Sequence, residues 1–190
     1  MILADIYDAY RADRRFDHLR TDGIVLVPGE GSSRPKVLIV GEAPGAMENT
    51  YKRPFVGASG LVLRSLINDV AGLRSIDYFI TNVVKYRPPG NRTPEWQEVD
   101  ASLPYLRQEY AALGSPKVMV AVGSVALEAL RPAGSSGGIL SVAGEPYTLA
   151  NGCALWPMIH PAYGLRNAKV RPLMEEHWEK FGIWFREEYR

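Results

Sequence analysis

The sequence reads KVLIVG at positions 36–41, directly before a loop that contains several proline and glycine residues. An apolar run of this length that ends at glycine predicts a short strand covered on both faces. Two further runs have the same character, YFITN at 78–82 and KVMVAVG at 117–123. Helical patterns separate these runs, so strands and helices alternate along the chain. This alternation predicts an α/β fold with a mostly parallel central sheet.

The other segments are assigned from periodicity, turn residues and capping signals. Thr93 is expected to cap a helix that starts at Pro94 and extends to about residue 113. We expect further helices at 2–19, 59–70, 124–130 and 169–190, strands at 24–27, 146–150 and 153–159, and loops at 42–57, 134–144 and 160–167.

Length and composition limit the class of protein. The chain has 190 residues, 46% hydrophobic and 23% charged, which is typical of a globular protein with a single domain over 1–190. Its net charge is only +1, so a nucleic-acid surface would require local clustering of basic residues. The one cysteine, Cys153, excludes an intramolecular disulfide. There is no signal-peptide pattern and no apolar run of about 20 residues, so we expect a cytoplasmic monomer that does not bind membranes.

Polar or small residues follow each strand of the expected sheet. They are Gly41-Glu42, Thr81-Asn82, Gly123-Ser124 and Ile159-His160. The carboxyl ends of parallel strands meet at one edge of a sheet, where α/β proteins form their sites. We therefore expect these four segments to converge on a single site.

Three stretches at this edge carry a family resemblance. They read GEAPGAMENTYKRPFVGASG (41–60), ITNVVKYRPPGNRTP (80–94) and MIHPAYGLRN (158–167). Together and in this order they resemble the uracil-DNA glycosylase superfamily, and most closely its family 4. The resemblance implies a three-layer α/β/α sandwich around a short, mostly parallel sheet. It also implies hydrolysis of the N-glycosidic bond of deoxyuridine in DNA, single- or double-stranded, after the base has been flipped out of the stack.

The resemblance implies three contacts with the flipped base. Phe55 matches the aromatic residue that stacks on uracil, although an isolated phenylalanine is more often part of a core. Asn82 matches the asparagine that reads the base edge, and its alternative role is to cap a turn. His160 matches the histidine that donates to uracil O2, and its alternative role is structural.

The loop after the first buried strand is expected to handle the attacking water. Glu42 is the first candidate for orienting it, and Glu48 is the second. Gly41 and Ala43 flank Glu42 in the substrate loop, and Ala43 stands where the best-known uracil glycosylases have their water-positioning aspartate. The alternative for both carboxylates is an ion pair with basic residues of the same loop.

Basic residues in or beside these loops are candidates for phosphate contacts. Ser124 adds a helix N-terminus that can hold a phosphate. In the family that the chain resembles, the loop after the matching histidine wedges into the duplex as the base leaves. Leu165 and Arg166, which follow His160, are therefore the candidates for the wedge. The basic candidates include Lys85, Arg87, Arg92 and Arg166.

The chain departs from family 4 at the residues that hold an iron–sulfur cluster. Two of the cysteine positions are Tyr86 and Ser102 here, and Cys153 matches no ligand position. One thiolate cannot hold a cluster that needs four. We therefore expect neither a cofactor nor a metal, with Tyr86 and its neighbours filling the space.

Two functions of different classes remain open from the sequence. The first is an active, monofunctional uracil-DNA glycosylase. The second is a weak or inactive DNA-binding protein of the same fold that serves a repair or replication complex. A nucleotide-binding enzyme is disfavoured, because the chain has no Walker or dinucleotide-binding glycine motif.

Overall fold

The computed structural model describes residues 2–189. Its strands are β1 (Glu30–Gly31), β2 (Val37–Gly41), β3 (Tyr78–Asn82), β4 (Val118–Val122), β5 (Tyr147–Thr148) and β6 (Ala154–Met158). Its α-helices are α1 (Leu3–Ala12), α2 (Ala46–Tyr51), α3 (Ala58–Ser65), α4 (Trp96–Ala112), α5 (Ser124–Leu130), α6 (Ile139–Val142), α7 (Pro161–Arg166) and α8 (Arg171–Tyr189). A π-helical turn, Leu66–Val70, extends α3, and short 3₁₀ helices cover Arg14–Leu19, Pro89–Asn91 and Ala168–Val170.

The six strands form one sheet in the order β1-β3-β2-β4-β6-β5. The four central strands are parallel, and the two-residue edge strands β1 and β5 pair antiparallel with their neighbours. Every residue of β2, β3 and β4 is buried, as the apolar runs predict. The strands expected at 146–150 and 153–159 are also present, as β5 and β6, and they pair with each other.

Helices cover both faces of the sheet. Along β2, Leu38 and Val40 face a cluster that includes side chains of α1, α4 and α5. Val37 and Ile39 face the opposite cluster, which includes side chains of α3 and α8. The period-two alternation of a strand thus fills two cores from one run of apolar residues. The result is the expected three-layer α/β/α sandwich. No helix within residues 2–189 is long and apolar enough to cross a membrane.

Several local predictions were wrong. Residues 24–27 form no strand, because only the Val27 amide bonds to the chain beyond β3, at the Lys85 carbonyl (2.9 Å). The Thr93-Pro94 helix start is two residues early. Glu95 is the cap, and its amide donates to the Glu98 carboxylate (2.7 Å) in a capping box.

Three expected loops contain short helices. The loop 42–57 contains α2, whose cap Gly45 bonds to Glu48 three residues later. The loop 134–144 contains α6, and the loop 160–167 contains α7. Helix α7 begins with Pro161 at its first position, a start signal that was visible in the sequence.

Candidate active site

A cleft of about 810 Å³ lies where β2, β3, β4 and β6 reach their carboxyl ends. The expected convergence of four segments is therefore present. The cleft is lined by most of the predicted site residues: Glu42, Ala43, Glu48, Phe55, Asn82, Arg92, Ser124, His160 and Arg166.

Gly41 lies against the two predicted base-contacting side chains, Phe55 and Asn82. It pairs with Asn82 across β2 and β3. A Cβ atom at Gly41 would lie 2.3 Å from Phe55 Cζ and 2.5 Å from Asn82 Oδ1. Glycine is therefore required here for space, so that the aromatic ring and the amide can share one wall of the cleft.

The Glu48 carboxylate holds the loop that carries Phe55. Its Oε1 accepts hydrogen bonds from the amides of Val56 (2.9 Å) and Gly57 (2.8 Å), and its Oε2 accepts from Gly45 (3.1 Å). The side chain is buried, and its partners are backbone amides rather than basic residues. These contacts make Glu48 an organiser of the loop, which weakens its case as a water-activating group.

His160 is held in one tautomer. Its Nδ1 accepts the backbone N–H of Ala162 (3.1 Å) and so caps the N-terminus of α7. Burial and the nearby Arg166 charge lower the pKa of His160 to about 4. The ring is therefore neutral at pH 7. Since Nδ1 is an acceptor, the single ring hydrogen is on Nε2, the nitrogen left to donate to a molecule in the cleft.

Glu42 is a partly buried carboxyl group in the wall of the cleft. Burial raises its pKa above the ordinary glutamate value. Desolvation of this kind is typical of acid–base groups in active sites. Of the two predicted water-handling carboxylates, Glu42 has the environment that suits the role.

The predicted DNA-contacting residues differ in their surroundings. Arg92 lines the cleft but donates twice to the buried Glu98 carboxylate, at 2.6 and 2.9 Å. Burial opposes ionisation of Glu98, but the hydrogen bonds from Arg92, the Glu95 amide and His18, together with the Arg92 charge, lower its pKa to about 2. Arg87 lies outside the lining and donates to Asn91, a residue of the wall (2.6 Å). Ser124 is exposed in the cleft at the first position of α5.

The prediction that Lys85 contacts phosphate was wrong. Its side chain is only 1% exposed, and its Nζ donates to Glu109 (2.7 Å), to Thr81 and to the Asn82 carbonyl (2.6 Å). Tyr7 completes the group by donating to Glu109. A buried ammonium requires such a partner, and this pair joins α4 to the end of β3.

The two wedge candidates point to different places. Arg166 lines the cleft. Leu165 is exposed but lies outside the cleft lining, in a separate groove with Val62, Leu66 and Met174.

The family model of the uracil-DNA glycosylase superfamily matches residues 28–182, which is most of the chain. The chain belongs to the uracil-DNA glycosylase superfamily. Similar proteins include a type-4 uracil-DNA glycosylase of Sulfurisphaera tokodaii, 38% identical over 159 residues, or 81% of this chain and 72% of the relative. One from Thermotoga maritima is 36% identical over 173 residues, or 90% of this chain and 88% of the relative. One from Pyrobaculum aerophilum is 52% identical over 104 residues, about half of each chain.

Two of the cysteine positions of the family-4 glycosylases, Tyr86 and Ser102 here, belong to a group of aromatic and hydroxyl side chains. Tyr86 lies 5.7 Å, centroid to centroid, from Tyr10, whose hydroxyl group is 2.7 Å from Ser102 Oγ. Tyr10 also stacks on Phe16 (4.2 Å) and meets Tyr105 edge-on (4.9 Å). These buried rings, together with hydroxyl groups in place of thiolates, do not fit an iron–sulfur cluster.

Part of the cleft wall was not predicted from the sequence. This part includes Ile139 and Leu140 of α6, and Leu140 is 53% exposed. They are the first apolar residues after a stretch of glycine and serine, which was the available signal. Pro88 and Thr93 also line the cleft, and they lie inside the second quoted motif.

Proposed function

We propose that this chain is a uracil-DNA glycosylase that hydrolyses the N-glycosidic bond of deoxyuridine in DNA and leaves an abasic site. One observation carries the proposal. Glu42, Phe55, Asn82 and His160 come from three separate stretches of sequence and line the same cleft. Names of the similar glycosylases support the same substrate.

The base is recognised before it is cleaved. Phe55 offers an aromatic face on which a flipped uracil stacks. The Asn82 amide oxygen accepts from uracil N3–H, and its NH₂ group donates to O4. Cytosine presents the opposite donor and acceptor pattern at these atoms, so an amide held in one orientation rejects it.

Cleavage breaks the bond between C1′ and N1, and both bonding electrons leave with uracil. The Nε2–H of His160 donates to O2 as negative charge develops there, which stabilises the leaving anion more than the ground state. A neutral imidazole serves this purpose, since it donates a hydrogen bond without transferring its proton. Glu42 orients the water that attacks C1′ and accepts the proton that this water loses, and its negative charge stabilises the positive sugar as the bond to uracil breaks.

DNA is held at the rim of the same cleft. Arg166, Ser124 and Arg92 approach the phosphates, and Arg87 supports the rim through Asn91. The wedge role of Leu165, which lies in a separate groove, stays a prediction from the sequence. Activity on single- or double-stranded DNA, a single domain, a monomeric state and a cytoplasmic location stay predictions from the sequence.

The competing proposal is a glycosylase-fold protein that binds DNA without cleaving it. It is favoured by the missing cluster cysteines and by Ala43, which stands where an aspartate would position the water. Glu42, Phe55, Asn82 and His160, which line one cleft, support the active enzyme instead.

Oligonucleotides that contain one uracil separate these functions. After incubation, alkali cleaves any abasic site, and strand scission at a catalytic rate supports the glycosylase. Asn82→Ala and His160→Ala should each lower the single-turnover rate about 10²- to 10³-fold, as loss of a preorganised donor does. The matched control is Asn68→Ala, at an exposed position of the π-helical turn, which loses one hydrogen bond from Tyr78 (3.3 Å) and should leave the rate unchanged. Binding without scission by the unaltered protein would favour the competing proposal.

A further inference from the structure

Phe55 has an unfavourable backbone conformation. Its φ angle is +54°, in the left-handed region that a bulky side chain rarely adopts. Such a conformation persists only when the surroundings enforce it, and it is common at functional sites. The neighbouring contacts should therefore show what holds Phe55 in place.

Arg64 of α3 contacts the carbonyl groups on both sides of the Phe55 Cα atom. Its Nε donates to the Phe55 carbonyl (2.9 Å), and its Nη2 donates to the Pro54 carbonyl (2.8 Å). Glu48 binds the next two amides, those of Val56 and Gly57. Four hydrogen bonds from two side chains thus bracket Phe55.

Helix α3 provides both the space for the Phe55 loop and the side chain that holds this loop. A Cβ atom at Gly60 would lie 2.2 Å from the Phe55 carbonyl carbon, so only glycine lets the loop rest on α3. Arg64, one turn later, is partly buried and fixed by Glu30 (2.6 Å). Arg53 also binds Glu30 (2.7 Å), but its side chain is more exposed. Both of its side-chain hydrogen bonds go to the Glu30 carboxylate and not to the loop carbonyls.

We infer that Arg64 is a positioning residue for base recognition: with Glu48, it clamps the Phe55 backbone so that the ring stands beside Asn82. The planar guanidinium reaches two carbonyls and a carboxylate at once, which a lysine ammonium on a flexible stem cannot reproduce in the same geometry. The assignment depends on the stacking role proposed for Phe55.

The test compares Arg64→Met and Arg64→Lys with Arg53→Met. Arg53→Met removes one of the two positive charges that pair with Glu30. It leaves the Pro54 and Phe55 carbonyls hydrogen-bonded to Arg64. The Tm of each variant is determined first. The inhibition constant of free uracil and the single-turnover rate at saturating single-stranded substrate are then measured well below that Tm. A shift of about 1 Å in a positioned group costs up to about 100-fold in rate. Both Arg64 variants should therefore bind uracil at least about 10-fold more weakly and react about 10- to 100-fold more slowly, while Arg53→Met changes neither value by more than about twofold.

Three results would overturn the clamp. The first is unchanged uracil inhibition and rate in Arg64→Met. The second is an equal loss in Arg53→Met, and the third is full activity in Arg64→Lys, because either of these would assign the effect to the charge near Glu30. Phe55→Ala separates a failure of the clamp from a failure of the stacking role. If Phe55→Ala leaves uracil inhibition unchanged, the stacking role itself is wrong. If Phe55→Ala weakens uracil inhibition but Arg64→Met does not, only the clamp is wrong.

Discussion

Gly41→Ala should slow the enzyme about 100-fold while leaving the fold intact. The glycine lies in β2 with an ordinary extended backbone, which alanine also adopts. The added methyl group would meet Phe55 Cζ at 2.3 Å and Asn82 Oδ1 at 2.5 Å, whereas ordinary contacts begin at 3.4 Å. Both groups must therefore retreat by about 1 Å, a displacement that costs on the order of 100-fold in rate. Overpacking costs about 1–3 kcal/mol of stability, and the gain of about 0.5–1 kcal/mol from replacing glycine in a strand partly offsets it.

The assay is single-turnover cleavage of a uracil oligonucleotide, followed by alkaline scission. Gly138→Ala is the matched control, because a Cβ atom there meets nothing within 4 Å. Circular dichroism gives the Tm of both variants. A near wild-type rate in folded Gly41→Ala would show that the ring and the amide need not occupy their present positions, and the base pocket would be assigned wrongly.

Other predictions concern charge. Because burial raises the pKa of Glu42 above its ordinary value, the rate should fall as acidification protonates it, and Glu42→Gln should give a slower enzyme without this acid limb in its pH–rate profile. Lys85→Met should cost about 3–5 kcal/mol in urea unfolding, because it leaves Glu109 buried and unpaired, whereas Lys85→Met with Glu109→Leu should recover most of that loss. Arg166→Ala should reduce the slope of log binding constant against log salt by about 0.9. Arg92→Ala should reduce this slope less, since Glu98 already neutralises Arg92, and equal slopes would contradict the difference.

The sequence predicted the parts of the fold that depend on local pattern. The buried runs became β2, β3 and β4, and the helix expected at 124–130 became α5 with the same bounds. The edge where the strands end was also predictable, because parallel strands of an α/β sheet share their direction. The four residues proposed for chemistry lie there because of this topology.

The rest depends on contacts between distant residues. Lys85 looks like a surface cation in sequence, and its burial follows from Glu109, 24 residues later on another layer. Likewise, the Glu48 carboxylate serves the amides of residues 56 and 57, which no periodicity indicates. Short helices such as α2 were missed because proline and glycine in the same stretch are typical of loops.

The aromatic packing between α1 and α4 has a consequence for synthesis of the chain on the ribosome. Tyr7 and Tyr10 find their partners Glu109 and Ser102 only 102 and 92 residues further along. At about 5–20 residues per second, α1 emerges roughly 5–20 seconds before its docking surface exists. During that interval its tyrosines and Ile6 are open to other nascent chains or to chaperones. Elongation pauses before α4 would lengthen this exposure, so the yield of folded protein should depend on translation speed in that part of the message.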